Sequence, residues 1–225
     1  MEKKELIYPL ETETKNIVSL KTPDGGLPSN RAGGQQFKYP LHPVDQEILK
    51  RFIKENGIVS GSLEIFIPAE AMNPTTSSGC SSLTKVEAGT NDVDYWVLDF
   101  DTTTGESCFF TIKMPDNWNG GAVSFVFVWT NASGLTTETV AFGIKGRAYA
   151  DSDAIDQAYG TEVVVTDTWL AQNDIHITDE SALVTPSGNL QGGQWCQFKI
   201  TRKVASDDLT GDARLIGVRL KYGVI

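Results

Sequence analysis

The sequence predicts a mainly β protein: an antiparallel, jelly-roll-like β-sandwich preceded by an extended N-terminal arm and one short amphipathic helix. Three observations carry this reading. Val93–Trp129 holds three consecutive runs with apolar residues at every second position: Trp96, Leu98 and Phe100; Cys108, Phe110, Ile112 and Met114; Val123, Phe125, Phe127 and Trp129. Alternation of aromatic and β-branched residues, bounded by Gly, Asn and Asp, marks half-buried strands. Similar runs continue to Gly223 with only short helical turns between them, which favours a sandwich or barrel over α/β. Helical periodicity is sustained in one place only, residues 43–57, and no internal repeat points to a propeller or solenoid.

Taken in order, the chain opens on a charged stretch, Met1–Lys15, followed by NIVSLK at Asn16–Lys21, which reads as a short strand. Thr22–Gln36 is rich in Gly and Pro and reads as loop or extended arm. Alone, such a segment buries too little apolar surface to offset its ordering entropy, so it is expected to stay mobile or to order against a partner. Pro43 suits a first helical turn and Gly57 a C-terminal stop. Asp45 and Glu47 lie near the positive helix start, and Lys50, Arg51 and Lys54 near its negative end. Val44, Ile48, Leu49, Phe52 and Ile53 form an apolar stripe. A helix of this length is marginal by itself in water, so the stripe needs a surface to pack on. That surface is either the β domain or a helical bundle about an oligomer axis, and these five residues are the expected anchor and oligomer contacts. Two regions follow: 1–60, the arm and helix, and 61–225, the β domain.

Within the second region, Ser62–Pro68 is a strand closed by proline, and a long loop leads to a short strand at Leu83–Glu87. The three runs of Val93–Trp129 read as two hairpins, an antiparallel meander with one apolar face. Glu138–Ala150 alternates again. Asp151 or Ser152 is expected to cap a helical turn ending at Gly160. Glu162–Thr168, Asp174–Thr178, Ala182–Thr185, Gln194–Val204 and Ala213–Gly223 complete the strands, with Ser206–Asp212 a helical turn or Asx-rich bend. Strands 138–150 and 213–223 are the expected subunit contacts.

Charge narrows the class. The net charge of −10 is uneven: residues 1–60 are nearly neutral and 61–225 carry −11. An acidic domain repels phosphate backbones, so a nucleic-acid partner is not expected. The apolar run that ends at Trp129, Phe125–Trp129, is far too short for a bilayer, so no membrane partner is expected. The first residues lack a signal-peptide pattern, and synthesis in a cytoplasm is expected. Cys80, Cys108 and Cys196 cannot form a closed disulfide set and contain no CxxC, so they read as structural thiols.

Chemical motifs are sparse, and no cofactor is expected. His42 reads as a turn residue, and His176, between Ile175 and Ile177, as an outward strand residue. No G-x-S-x-G elbow accompanies it. The carboxylate groups Asp92/Asp94, Asp99/Asp101, Asp151/Asp153/Asp156 and Asp207/Asp208 sit where turns and caps need them. The Asp99–Phe110 stretch resembles a calcium loop, but its glycine comes one position late and Phe110 stands where a bidentate Glu is required. It reads as a hairpin with Gly105 at positive φ. Calcium held by Asp residues from separate loops stays open as an alternative. Trp118 and Trp169 fall in or beside turns. Trp118 reads as a plug closing the sandwich, and Trp169 is the candidate ligand contact. No catalytic set is found.

Six blocks in series carry a resemblance: IFIPAEAM at Ile65–Met72, NDVDYWVLDFD at Asn91–Asp101, FFTIKMPDNW at Phe109–Trp118, VWT at Val128–Thr130, DSDAIDQAYGT at Asp151–Thr161 and DDLTGDARLIGVRLKY at Asp207–Tyr222. Together they resemble a β-rich domain carried by structural proteins of tailed bacteriophages. The resemblance spans about Ser62–Tyr222 and leaves the first 60 residues outside. It implies a particle component without settling which; with no catalytic set, no targeting signal and an acidic β domain, the expectation is a non-enzymatic protein assembled in the host cytoplasm and displayed on the virion surface. The expectation is a homotrimer whose residues 1–60 hold capsid or tail proteins. Capsid decoration or a head fibre comes first, because one compact unit without a repetitive shaft cannot reach far. The alternatives are a tail fibre or a receptor- or carbohydrate-binding module for a host surface glycan, and more remotely a glycan hydrolase, which needs two carboxyls across a cleft. Deleting residues 1–42 should abolish incorporation into particles; full incorporation of the truncated chain would refute the anchor.

Overall fold

The computed structural model describes residues 6–9, 17–20 and 61–224. The chain divides into two compact units, Met1–Gly57 and Ile58–Ile225. In the first, β1 (Leu6–Pro9) pairs antiparallel with β2 (Ile17–Leu20), Leu6 opposite Leu20. The helix expected over 43–57, with Val44, Ile48, Leu49, Phe52 and Ile53, lies outside the described residues.

The second unit contains β3 (Ser62–Pro68), β4 (Asn73–Pro74), β5 (Thr84–Ala88), β6 (Val93–Phe100), β7 (Ser107–Lys113) and β8 (Ser124–Thr130), then β9 (Thr139–Tyr149), β10 (Val163–Thr168), β11 (His176–Ile177), β12 (Trp195–Arg202) and β13 (Ala213–Gly223). They form two antiparallel sheets. One runs β10-β9-β12-β7-β4; the other runs β11-β8-β13-β6-β5, with β3 also paired to β13. The apolar faces meet as a sandwich. Phe142 on β9 stacks with Phe127 of the opposite sheet at 5.1 Å and meets Phe100 and Trp129 edge-on at 6.0 and 6.4 Å. Phe198 on β12 meets Phe125 at 5.1 Å in the same way. Gly146, opposite Phe198 on β9, makes room for that ring: a Cβ there would lie 2.6 Å from it.

The strands fall where alternation puts them, but the expected meander does not form. β6 and β8 belong to one sheet and β7 to the other. The connections 101–106 and 114–123 are too long for tight two-residue hairpin turns and carry the chain across the sandwich. The first of them is an Asx turn: Asp101 Oδ1 accepts from Thr103 N at 2.6 Å and Thr104 N at 3.0 Å. Gly105 does not take the expected positive φ; among described residues, Gly120, Gly188 and Gly193 do. Trp96 also departs from expectation, 39% exposed, because β13 covers β6 only from Leu98 to Phe100 and the β5–β6 ladder runs on beyond.

Strands β9 and β13 are interior, which removes their edges as subunit contacts. β9 lies between β10 and β12. β13 pairs with β8 on one side and with β6 and then β3 on the other. A bulge between Leu215 and Gly217 shifts the alternation by one, so Ala213 and Leu215 and then Val218, Leu220 and Tyr222 are all buried. Gly217 is needed there, since a Cβ would meet the Phe66 ring at 2.5 Å and Ile67 O at 2.7 Å. The expected helical turn at 151–160 is a non-helical loop with Ser152 at φ 68°; Asp153 Oδ2 accepts from Ala150 N at 2.9 Å, drawing the local polar groups into a turn. Ala182–Thr185 contributes only one bridge, Val184 to Val123.

At the end of β12, Arg202 is fully buried, and each of its five donors has an acceptor. Nε and Nη2 donate to Asp207 at 2.9 and 3.1 Å, and Nη2 also to Leu209 O at 2.7 Å. Nη1 donates to Phe100 O at 3.0 Å and Gly211 O at 2.9 Å. One guanidinium therefore ties β12 to β6 of the opposite sheet and to the β12–β13 connection. Around the same connection, Asp208 Oδ1 accepts from Thr139 N and Oγ1, and Glu138 Oε2 from Leu135 N, Thr210 N and Thr210 Oγ1.

Arg202→Met should cost about 3–5 kcal/mol in urea unfolding, because it leaves Asp207 buried without its partner; a loss below about 1 kcal/mol would sink the staple. The acid limb follows from two carboxyls. Hydrogen bonds from Thr139 hold Asp208 below its ordinary 3.8. Burial pushes Glu138 up, but the bonds from Leu135 and Thr210 outweigh it and leave it below 4.5. Both groups bind protons more weakly folded than unfolded, so their stabilisation is complete above the ordinary values and lost as pH falls through the lowered ones. The urea midpoint should fall as pH drops below 4.5, and Glu138→Gln should shrink that fall.

Candidate functional site

Backbone register maps the outer face of the five-stranded sheet. On β12, Cys196, Phe198, Ile200 and Arg202 are buried in the sandwich, so Trp195, Gln197, Lys199 and Thr201 face outward. Their partners give four rows. Trp195 lies between Lys113 and Tyr149, Gln197 between Thr111 and Arg147, Lys199 between Phe109 and Lys145, and Thr201 between Ser107 and Gly143.

The first row is aromatic. Trp195 is 39% exposed, and its ring packs against Tyr149 at 4.9 Å with a 42° tilt. The Arg147 guanidinium lies 5.4 Å from the Tyr149 ring centre. The 150–160 loop forms a wall beside these groups: Tyr149 donates to Ile155 O at 2.9 Å, Arg147 donates to Gln157 Oε1 and ion-pairs with Asp153 at 3.7 Å, and Tyr159 donates to Gln197 Oε1. Lys145 Nζ sits 5.8 Å from the Tyr159 ring centre. At the far end, Lys203 and Glu162 pair at 2.7 Å beside Gly143. The face thus offers two tilted aromatic rings, planar amides, a phenol and two lysines, while the Arg147 guanidinium is buried among them.

Trp169, the candidate ligand contact from the sequence, is 8% exposed and not part of this face. Its Nε1 donates to Asn131 Oδ1 and its backbone N to Glu138 O at 2.8 Å, with the ring packed against Gly134. It is a core residue under a loop. Trp118 is 2% exposed, as a plug should be. His176 is buried rather than outward: it stacks on Trp129 at 4.4 Å, Nδ1 donates to Asp174 O, and Nε2 accepts from Leu170 N, both at 3.0 Å. The flanking Ile175 and Ile177 are the exposed ones, because on a two-residue edge strand the imidazole covers the Trp129 ring.

A second polar feature is a recess of about 220 Å³ lined by Ala132, Ser133, Thr210, Gly211, Asp212 and Arg214. Behind it, burial pushes the Asp99 carboxyl up, against the opposing pull of Arg214, whose Nε lies 3.4 Å from Oδ1. Asp212 is the recess's single carboxylate, so it presents no acid–base pair to a substrate. Among the described residues, no three His, Cys, Asp or Glu side chains cluster as a metal site.

No protein-family model matches the chain, and no curated protein matches it. Among solved structures, it is similar to a family 35 carbohydrate-binding module from Clostridium thermocellum, at 12% identity over 70% of this chain and 97% of that one, TM-score 0.39. It is also similar to the CBM27-1 module of Caldicellulosiruptor saccharolyticus in complex with mannohexaose, at 9% identity over 70% and 96%, TM-score 0.35. A third is the enzymatically active domain of tailspike protein 4 from bacteriophage CBA120, at 13% identity over 74% and 20%, TM-score 0.30. Likeness at this level assigns no ligand.

Proposed function

We propose that residues 61–225 form a glycan-binding module whose site is the outer face of the five-stranded sheet, and that the module binds without catalysing. The observation that carries this is the pair of exposed Trp195 and half-buried Tyr149 on the outer face, with Arg147 beside Tyr149 and Gln197, Gln157 and Tyr159 bordering it. A sugar ring has a C–H face that lies flat on an aromatic ring and a rim of hydroxyls that planar amides and guanidinium recognise from the side. Large rings with few degrees of freedom give such contact area at low entropic cost. A solvated tryptophan held beside a tyrosine and not folded into the core is surface kept for contact.

This reading takes up the carbohydrate-binding alternative in preference to capsid decoration. The six-block resemblance supports placing the module on a bacteriophage particle, as a homotrimer attached to capsid or tail proteins through residues 1–60. A glycan on the host surface is then the natural target.

Trp195→Ala should reduce binding to glycans captured on an array by at least about thirtyfold, the loss expected of an aromatic hot spot, with an unchanged melting temperature. Undiminished binding would remove the platform. Trp169→Ala is not an equivalent test: emptying that core position costs about 3–5 kcal/mol, so lost binding there would report unfolding.

A further inference from the structure

Lys145 and Lys199 stand directly opposite each other on adjacent antiparallel strands, on the same outer face as the aromatic pair. Like charges in that relation destabilise a sheet. Nearby cations are differently placed: Lys113 pairs with Asp116, Arg147 with Asp153 and Lys203 with Glu162. Among the described residues, neither Lys145 nor Lys199 forms an ion pair, although residues 61–225 carry a net −11 and acidic partners abound. Thr111, Gln197, Phe109 and Thr201 beside the pair supply no carboxylate, Glu162 next to Gly143 is already paired with Lys203, and Lys145 Nζ sits 5.8 Å from the Tyr159 ring centre. The aromatic row lies four residues along β12 from Lys199, about 13 Å at strand rise.

We propose that the glycan carries an anionic substituent, a carboxylate or sulfate, and that Lys145 and Lys199 clamp it while another sugar ring further along the same oligosaccharide stacks on Trp195 and Tyr149. This deepens the glycan-binding reading and rests on it. Two lysines set opposite each other by the backbone register can each give a charge-assisted bond to one anion, and their mutual repulsion is relieved when it arrives. The net charge of −11 on residues 61–225 repels an acidic glycan from the module as a whole, so the clamp supplies selectivity as well as affinity. The 13 Å separation requires an oligosaccharide, not a single sugar, to engage both ends.

The test is titration calorimetry of the full chain with tetragalacturonate, with its carboxyl-reduced neutral counterpart, and with a sulfated galactan tetrasaccharide, alongside an array holding acidic and neutral glycans. Acidic glycans should bind at least roughly tenfold more tightly than neutral ones, the worth of one charge-assisted bond. The preference should weaken as salt rises from 0.05 to 0.5 M. Lys145→Gln/Lys199→Gln should abolish it, bringing acidic glycans down to the affinity of neutral ones, and Lys199→Gln alone should raise the melting temperature of the free protein. Equal binding of acidic and neutral glycans, lost in Trp195→Ala, would overturn the clamp and leave the platform standing. Acidic binding that survives Trp195→Ala would overturn the platform and the bidentate arrangement with it. Absence of any bound glycan would overturn both.

Discussion

The buried guanidinium of Arg202 is the constraint on which the second unit is arranged. A charge wholly removed from water is tolerable only when every donor is met, and here the acceptors come from Asp207, from Phe100 at the end of β6, and from the Leu209 and Gly211 carbonyls. These acceptors are separated by more than a hundred positions in the chain, so the five bonds form only when both sheets and the β12–β13 connection are in place. The arrangement is therefore cooperative. It also fixes which way β12 faces. Because side chains alternate, Arg202 inside places Lys199, Gln197 and Trp195 outside, and a one-residue slip would bury lysine and expose Phe198.

From that register the surface chemistry follows. β12 is the middle strand of its sheet, held on both sides by long antiparallel ladders to β7 and β9. Its outward side chains are thus set against those of two neighbours with little freedom to shift. The Tyr149–Trp195 contact and the Lys145–Lys199 opposition are consequences of one ladder. A site on interior strands is held more exactly than one on loops, and this suits recognition by stacking, where ring orientation matters. The 150–160 loop adds a wall, held by hydrogen bonds from Arg147 and Tyr149.

Much of the fold was legible in the sequence, and the reason is local. Strand positions follow from alternation, so Ser62–Pro68, Val93–Phe100, Ser124–Thr130 and Ala213–Gly223 stand where the apolar residues recur. Pairing is not local. Nothing in 93–130 says that β7 crosses to the other sheet, because its partners, β12 and β4, lie elsewhere in the chain. The site was half legible. Alternation with buried Cys196 and Phe198 puts Trp195 outside, and alternation with Phe142 and Ile144 puts Lys145 and Tyr149 outside. Attention to aromatics in turns favoured Trp169, whose partner Asn131 lies 38 residues away in the chain and, with Gly134, meets the ring only once the protein is folded. That β9 and β12 bring the two outward sets together was beyond any reading of either strand alone.

The division of labour along β12 explains how an exposed tryptophan and two opposed lysines are tolerated. Core packing on the inner face is shared by Phe198, Phe125, Phe110 and Phe142, while the outer residues add little to it. Stability and the proposed recognition therefore rest on opposite faces of the same strands and draw on separate side chains. The small cost of the lysine pair and of a solvated indole falls on a fold already over-determined by the inner ladder and the Arg202 staple. A surface of this kind can change its ligand through Lys145, Lys199 or Gln197 without reworking the core, because outward substitutions away from shared partners act nearly independently of inward ones. The opposite would hold for a site built around Trp169 or His176: each supports the packing of its own surroundings, and altering the ligand there would mean altering the fold.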